Sequence, residues 1–491
     1  MNISALLSKI DEFAWGPWLL VIMVGTGIYL TVRTKFLQFD KFGYAMKNTL
    51  GKITSKQKAG IGEITPFQAV TTALAGTVGV GSVAGATGAI AIGGPGAVFW
   101  MWVSALFGMV TKYFEVTLAV RFRERNEKGE WAGGPMYYIK NGLGKKWNFL
   151  AVFFCIFGGL ACIGTGGMTQ INSIATSVNT FIDSLSNGFT KAHTISFMGQ
   201  KAPIVSIIIG ASIAVLVALI LLGGVKRIGS VTEKLVPFMA VVYVAACIAV
   251  VVGNANIIGE VFRWIFVCAF KPKSVMGGAV GSTMMIAMSK GIGRGVFSNE
   301  AGLGSAPMAH ATTSEKNPVK QGLFGIFEVF MATFVICTLT ALVVLSGIYR
   351  LYGKGVHFNW GKNAGTELVS RAFGTVIGDR LGSAVVAVGI ALFALSTILG
   401  WALYGSRCWG FLFGKKAETA FYVVFVAGIF FGSFLKLDVV WTVSDIFNAF
   451  MALPNLIAVL ALSPVVIKLT KDHFSPSSSG SIAVQSHKKA G

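Results

Sequence analysis

Charge is scarce in this chain. Of 491 residues only 12% are Asp, Glu, Lys or Arg, against 54% hydrophobic, and the mean hydropathy is +0.71. A soluble protein of this length would carry about three domains, but that balance is wrong for one. Acidic residues are the scarcest charged group, 20 against 41 basic, for a formal charge of +21. The Lys and Arg lie in short loops between apolar runs, where they set membrane topology rather than form a nucleic-acid face. Cysteine is equally sparse. Cys155, Cys162, Cys247, Cys268, Cys337 and Cys408 have neither paired nor metal-like spacing, which argues against a disulfide scaffold or a zinc site and for free packing residues. No small-residue cleavage site follows the first apolar run, 15–32, which runs into Arg33-Thr34-Lys35. That run is expected to be a membrane span rather than a signal peptide. No nucleophile and base stand in a suggestive arrangement, so an enzyme is not expected.

What is present is a series of apolar runs of about 20 residues, the length that crosses a hydrocarbon core. They predict an all-α polytopic membrane protein with eleven spans, at 15–32, 65–96, 97–120, 148–182, 203–223, 235–253, 279–309, 322–349, 382–413, 419–435 and 440–467. The basic cluster Arg33, Lys35, Lys41, Lys47, Lys52, Lys56 and Lys58 belongs in the cytoplasm, which sets the N-terminus outside and the C-terminus inside. The second span has a clear start: Thr65-Pro66-Phe67-Gln68 carries a capping hydroxyl, proline at the first helical position and Gln at the third. The expected divisions are an N-terminal helix and basic loop (1–60), a first five-helix repeat (61–253), an interfacial connector with Glu260 and Arg263 (254–278), a second five-helix repeat (279–468) and a Ser-rich disordered tail (469–491).

Within the second span, 75–96 carries eight glycines, an odd density for a helix that crosses lipid. A bilayer tolerates freed backbone groups only where protein or a cavity satisfies them. The first helix of the second repeat has a similar stretch at 289–304, SKGIGRGVFSNEAGLG. Because five helices are an odd number, the two repeats lie inverted, and paired interruptions at corresponding positions point to a transport site. Two blander readings compete with that site. Gly79-Val80-Gly81-Ser82-Val83-Ala84 fits a dinucleotide fingerprint, but no strand precedes it and the next acidic residue is Glu115. Gly81 and Gly85 could simply let helices pack closely.

Polar groups at membrane depth default to function or to mutual pairing. Lys290, Arg294, Glu300 and Asp445 are the gate candidates, with Arg294 and Glu300 divided between a gate and a structural ion pair. Gln170 and Asn172 could bridge helices. His310 reads as a helix-end residue ahead of a ligand or proton relay. Ser396 and Thr397 either back-bond to their own helix or supply hard oxygen ligands to a small cation at the first break.

The stretches GGPGAVFWMWVSALFGMVTKYFE, GGVKRIGSVTEKLVPFMA, RGVFSNEAGLGSAPMAHA, FALSTILGWALYGSRC and SDIFNAFMALPNL closely resemble the alanine/glycine:cation symporter family of prokaryotes, from about residue 16 to 468. The resemblance implies a leucine-transporter-like core of ten helices in two inverted repeats (5+5), preceded here by one extra helix. It implies sodium-driven uptake of alanine, glycine or a similar small neutral amino acid, D or L, by alternating access. It places the substrate carboxylate at the N–H groups of Val80 and Gly81 beside Thr77 and Gly79, the polar end near Gln170, and Phe297, Ser298 and Trp401 along the pocket. It places sodium, the coupling ion, among Ala75, Val78, Phe393, Ser396 and Thr397. The setting it implies is a monomer in the inner membrane of a prokaryote, with the lipid bilayer, sodium and an amino acid as partners and no nucleic acid. The chain departs from the family pattern at Ser82, where Asn is usual after G-T-G (here Gly79-Val80-Gly81), and at Ala332, where Asp is usual. Both changes bear on a second cation site and on substrate size, and so on a proton-coupled or glutamine carrier as the alternative. A channel or membrane sensor is further off, for want of a filter motif or an output domain.

Overall fold

The computed structural model describes residues 3–51, 59–60, 62–127, 129–186, 188–197, 200–271, 284–353 and 365–475. Residues 272–278 of the expected connector and 476–491 of the expected disordered tail therefore lie outside the described residues, whereas the first residues of that tail continue a helix to Phe474. Helices dominate, in the order α1 (Pro17–Arg33), α2 (Pro66–Thr77), α3 (Ala86–Gly93), α4 (Gly96–Arg121), α5 (Asn148–Ala161), α6 (Thr169–Ser186), α7 (Ile204–Leu221), α8 (Gly224–Gly253), α9 (Ala255–Phe270), α10 (Met284–Asn299), α11 (Pro318–Val329), α12 (Thr338–Tyr352), α13 (Gly365–Ile377), α14 (Asp379–Phe413), α15 (Lys415–Gly432), α16 (Asp438–Ala461) and α17 (Ser463–Phe474), with shorter helical pieces between them. Two antiparallel hairpins decorate the ends, Glu124–Arg125 with Trp131–Ala132 and Thr194–Phe197 with Gln200–Pro203.

Each of the eleven expected spans holds helix. Among the described residues eight helical stretches are long and apolar enough to cross a membrane, and α2 with the bent continuation to Gly93 makes a ninth. Of the other two expected spans, α10 is only 16 residues long and α15 opens on Lys415, Lys416 and Glu418. The span expected at 235–253 starts earlier: α8 runs from Gly224 and carries Pro237 inside it. Part of the expected connector is also helix, α9, which seals Val261, Trp264, Ile265 and Cys268 against its neighbours. Trp100 Nε1 reaches the Ala269 carbonyl at 3.2 Å.

The packing order follows from the sequence. Helix α4 is largely buried, against helices α10, α11 and α1. Helix α14 is buried along its second half, Ser396 to Cys408, and packs on α2, α5 and α6. By contrast α7 and α8 are the most apolar helices, yet about two thirds or more of their apolar stretches stay unburied. Apolar side chains such as Val215, Leu222 and Val241 face outward, and contiguous apolar exteriors of this kind suit lipid rather than water. The chain is a multi-pass membrane protein whose polar groups are gathered inside.

Candidate transport site

The capping box forms as read: the Thr65 side chain accepts from the Gln68 N–H, and Gln68 reaches back to the Thr65 N–H. Helix α2 then runs to Thr77 and stops. Val78 leaves helical geometry (φ −89°, ψ 72°), and the continuation, Gly81–Gly93, departs at an angle of 49°. That continuation opens with a π-helical turn, Gly81–Gly85. The first N–H groups of a restarted helix have no partner within it, so Val80 and Gly81 lie where an anion finds donors.

Thr397 of α14 faces this break. A Cβ on Gly79 would lie 2.3 Å from Thr397 Oγ1, so Gly79 is glycine because the two helices touch there. Ser396 Oγ sits 2.8 Å from the Phe393 carbonyl and 3.4 Å from the Ala75 carbonyl, and Thr397 Oγ1 is 2.9 Å from the same Phe393 oxygen. The hydroxyls therefore back-bond to α14, the first of the two readings, and Ser396 also reaches the end of α2. Ala75, Phe393, Ser396 and Thr397 form one cluster of buried oxygens, and Val78 adjoins it through Gly79. Neutral hydroxyl and carbonyl oxygens are the donor type that suits a hard monovalent cation. Among the described residues no group of three or more His, Cys, Asp or Glu is arranged to hold a metal ion.

The second interruption is shorter than its glycines suggest. Helix α10 stays regular through Asn299, so Lys290 and Arg294 lie on an intact helix. A Cβ on Gly291 would meet the Ala97 carbonyl at 2.3 Å, and one on Gly295 would meet Ser104 Oγ at 2.4 Å. These glycines serve close packing on α4. The chain unwinds only from Glu300, with φ +53° there, +93° at Gly302 and +80° at Gly304. The freed backbone is satisfied from two helices. Glu115 Oε1 of α4 accepts from the Gly302 N–H at 3.0 Å, and Asn455 of α16 donates to the Gly302 carbonyl at 2.8 Å and to Glu115. Tyr138 in turn donates to Asn455. Asn299 caps the turn through Ala301 N–H (3.0 Å) and holds Thr333 Oγ1 (3.1 Å).

The restart after the first interruption packs on the last turn of α10, just before the second. Ser82 Oγ and Ser298 Oγ are 2.9 Å apart, Ser298 continues to Cys337 Sγ at 3.1 Å, and Phe297 packs against Gly81. Other expected residues sit differently. The Thr77 hydroxyl turns into its own helix, donating to the Ala73 carbonyl at 3.2 Å. Gln170 donates to the Thr165 carbonyl at 2.9 Å, and the neighbouring Gly166 backbone lies against Trp401. Asn172 bridges helices, as read, through the Gly432 carbonyl at 3.2 Å. Among the described residues Arg294 and Glu300 form no ion pair, which removes the structural-pair reading. Glu300 accepts from Ser305 instead, whereas the Arg294 guanidinium lies over the Phe297 ring, 5.4 Å from its centre. Asp445, half-buried, has Arg294 and Lys290 as electrostatic neighbours, but no salt bridge joins them among the described residues.

Sequence reasoning missed two structures. One is a buried charge chain: Lys112 Nζ lies 3.5 Å from Glu328 Oε1, His310 Nε2 lies 3.0 Å from Glu328 Oε2, and His310 Nδ1 meets Gln321 Nε2 at 2.9 Å. All of these groups are closed to solvent. His310 is the helix-end residue expected, closing Pro307–His310. Lys112 and Glu328 were detectable as charges inside apolar runs.

The other is a latch at the expected cytoplasmic end. Arg123 donates to the carbonyls of Ala311, Thr313 and Glu315 at 2.9, 2.6 and 2.9 Å. Ile64 and Thr313 form a parallel bridge, and the Trp131 N–H donates to the Gly62 carbonyl at 3.3 Å. Glu63 accepts from Arg125 at 2.6 Å and from the Trp131 indole at 2.9 Å. Partial burial alone would raise the Glu63 carboxyl, but those donors prevail and hold it below the usual carboxylate range. Burial pulls Arg123 down to about 10, so it stays charged at neutral pH. The latch thus ties the approach to α2 to the segment that follows the second interruption.

An apolar exterior, an interrupted helix packed on the last turn of α10 ahead of a second interruption, and buried oxygens beside the first break define a helical membrane protein with a central site of the kind found in secondary transporters. The chain belongs to the sodium:alanine symporter family, which matches residues 1–487 and is a family of transporters rather than enzymes. It is 39% identical over 479 residues to the sodium/alanine symporter AgcS of Methanococcus maripaludis, covering 96% of this chain and 97% of that one. It is 34% identical over 465 residues to the probable sodium/glutamine symporter GlnT of Bacillus subtilis, covering 94% and 89%. Among solved structures, MhsT in complex with L-phenylalanine aligns over 84% of this chain and 99% of its own, with a TM-score of 0.57 at 12% identity. That likeness shows a leucine-transporter-like fold.

Proposed function

We propose that the protein is a sodium-coupled symporter that imports a small neutral amino acid, alanine or glycine, by alternating access. The observation that carries this reading is the contact between the restart after the first interruption and the end of α10, beside the second, with the Ala75, Phe393, Ser396 and Thr397 oxygens next to the first. One amino acid lies with its carboxylate at Val80 and Gly81, beside Gly79 and between Phe297, Ser298 and Trp401. One sodium lies at the oxygen cluster. Inward sodium movement supplies about 2.3 kcal/mol per charge per 100 mV, besides its concentration term. In this reading the eleven helices divide into one leading helix and two inverted fives, 61–253 and 279–468, and the N-terminus faces outward. Arg294 and Lys290 close on Asp445 as the outer gate, and the Arg123 latch is the inner one. The protein works as a monomer in the inner membrane.

Ser82 supports a second reading of the same class. It replaces the Asn usual in the family and pairs with Ser298, a change suited to a different coupling ion or to a larger substrate such as glutamine.

Labelled alanine uptake into proteoliposomes tests both, under an inward sodium gradient, a proton gradient alone, or neither. Uphill uptake with sodium alone is expected. Uptake with protons alone refutes the sodium coupling, and uptake of glutamine but not alanine refutes the substrate.

A further inference from the structure

Thr165 sits in the π-helical stretch Cys162–Met168 that joins α5 to α6, and it holds two amide side chains at once. Gln170 Nε2 donates to its carbonyl and Asn448 Nδ2 to its hydroxyl, both at 2.9 Å. With the amino groups committed there, the amide oxygens face away. Gln170 Oε1 and Asn448 Oδ1 are both buried with no hydrogen-bond partner. For Gln170 the orientation is forced, because a carbonyl only accepts and the amide must turn its NH2 toward it. Two unfilled acceptors on amides held by one residue are an unusual arrangement, since buried polar groups are nearly always paired.

Their position is that of a binding wall. Asn448 lies ten residues into α16 from Asp438, about 15 Å along the helix and so near the middle of a hydrocarbon core about 30 Å thick. The adjoining Gly166 rests on Trp401 of α14, and Trp401 lies one helical turn from Thr397, which touches Gly79 at the first interruption. The column Gly79, Thr397, Trp401, Gly166 therefore joins the break to the two acceptors.

We propose that Gln170 Oε1 and Asn448 Oδ1 are a paired acceptor for the ammonium group of the transported amino acid, with Thr165 as the residue that positions both. The inference rests on the symport reading above and extends it by assigning Asn448 and Thr165 to recognition. Alanine and glycine carry all their hydrogen-bond donors on the ammonium, so two neutral acceptor oxygens held through one residue match the one part of the substrate that must shed water by donating. The pair contains no carboxylate, and recognition of the substrate adds no net charge to the wall.

The test is equilibrium binding of labelled alanine to the purified full-length protein in sodium, for the wild type, Asn448→Ala and Asn448→Asp. Aspartate keeps an acceptor toward the substrate and takes the Thr165 hydroxyl as donor on its other oxygen. The expected result is a tenfold or greater rise in alanine Kd for Asn448→Ala and a wild-type or tighter Kd for Asn448→Asp. The half-saturating sodium concentration at saturating alanine and the thermal midpoint should match the wild type in both. Unchanged alanine affinity in Asn448→Ala overturns the pair. Equal losses in both variants overturn it in favour of a purely structural amide, and a shift in sodium dependence alone makes Asn448 a cation ligand. Absence of sodium-dependent binding of any neutral amino acid by the wild type would sink the symport reading itself.

Discussion

Gly79→Ala probes the contact on which the cation cluster depends. The added methyl would lie 2.3 Å from Thr397 Oγ1 and 3.3 Å from Thr397 Cβ. The hydroxyl cannot swing away freely, since it is bonded to the Phe393 carbonyl at 2.9 Å. Helix α14 must therefore part from the end of α2, which separates the Ala75 carbonyl from Ser396. Overpacking of this kind costs about 1–3 kcal/mol. At about 1.4 kcal/mol per tenfold, sodium affinity should fall roughly 5- to 150-fold, read as the half-saturating sodium concentration for alanine uptake. Because the penalty arises from one hydroxyl, the effects of Gly79→Ala and Thr397→Ala should not add. Thr397→Ala alone removes a ligand, and Gly79→Ala placed on that background should do little more. Thermal unfolding in detergent checks that each variant is folded. If the two losses sum, Gly79 acts through something other than Thr397, and the cluster as described is wrong.

Lys112→Met should be far worse for stability than its position in an apolar helix suggests, because it strands Glu328 without its cation. The loss is about 3–5 kcal/mol, seen as a lower melting temperature, and adding Glu328→Gln should restore much of it. If the double variant is no more stable than Lys112→Met, the pair is not coupled. The Glu63 carboxyl is held below its ordinary range, so its contribution to the latch is complete above the usual carboxylate pKa of about 4.3 and is lost as pH falls through the lower folded value. Proteolysis of the 123–131 loop should therefore speed up at acid pH in the wild type. Glu63→Gln should be cut faster at neutral pH and show little further change on acidification, and a wild-type pH profile in that variant would refute the assignment.

How much could be read from the sequence depended on distance along the chain. The Thr65 to Gln68 cap was legible because all its chemistry lies within four residues. The first interruption was legible because its glycines stand where freed backbone has to be accommodated. The second misled in extent: Gly291 and Gly295 are contact glycines, and nothing within 289–304 distinguishes them from Gly302 and Gly304, which adopt positive φ. Lys112 and Glu328 are 216 positions apart, and Arg123 reaches carbonyls nearly 190 residues away. Only the fold brings such partners together. Arg123 read as one more topology-setting basic residue because its role is spent on backbone oxygens, which leave no trace in composition.

The π-helical turns at Gly81–Gly85, Cys162–Met168 and Phe330–Cys337 each hold one more residue per turn than the helices they interrupt, which rotates everything downstream by roughly 100°. A membrane helix built this way has two unrelated faces in sequence, one on either side of the bulge. Gln170 points where it does because of a residue gained before it, and Thr338 likewise. Deleting a single residue from one of these turns should leave the span long enough to cross the bilayer while turning its far half toward the wrong neighbours. In chains descended from the same ancestor, one-residue gaps inside the spans, rather than in the loops, would then mark where a site was opened or closed.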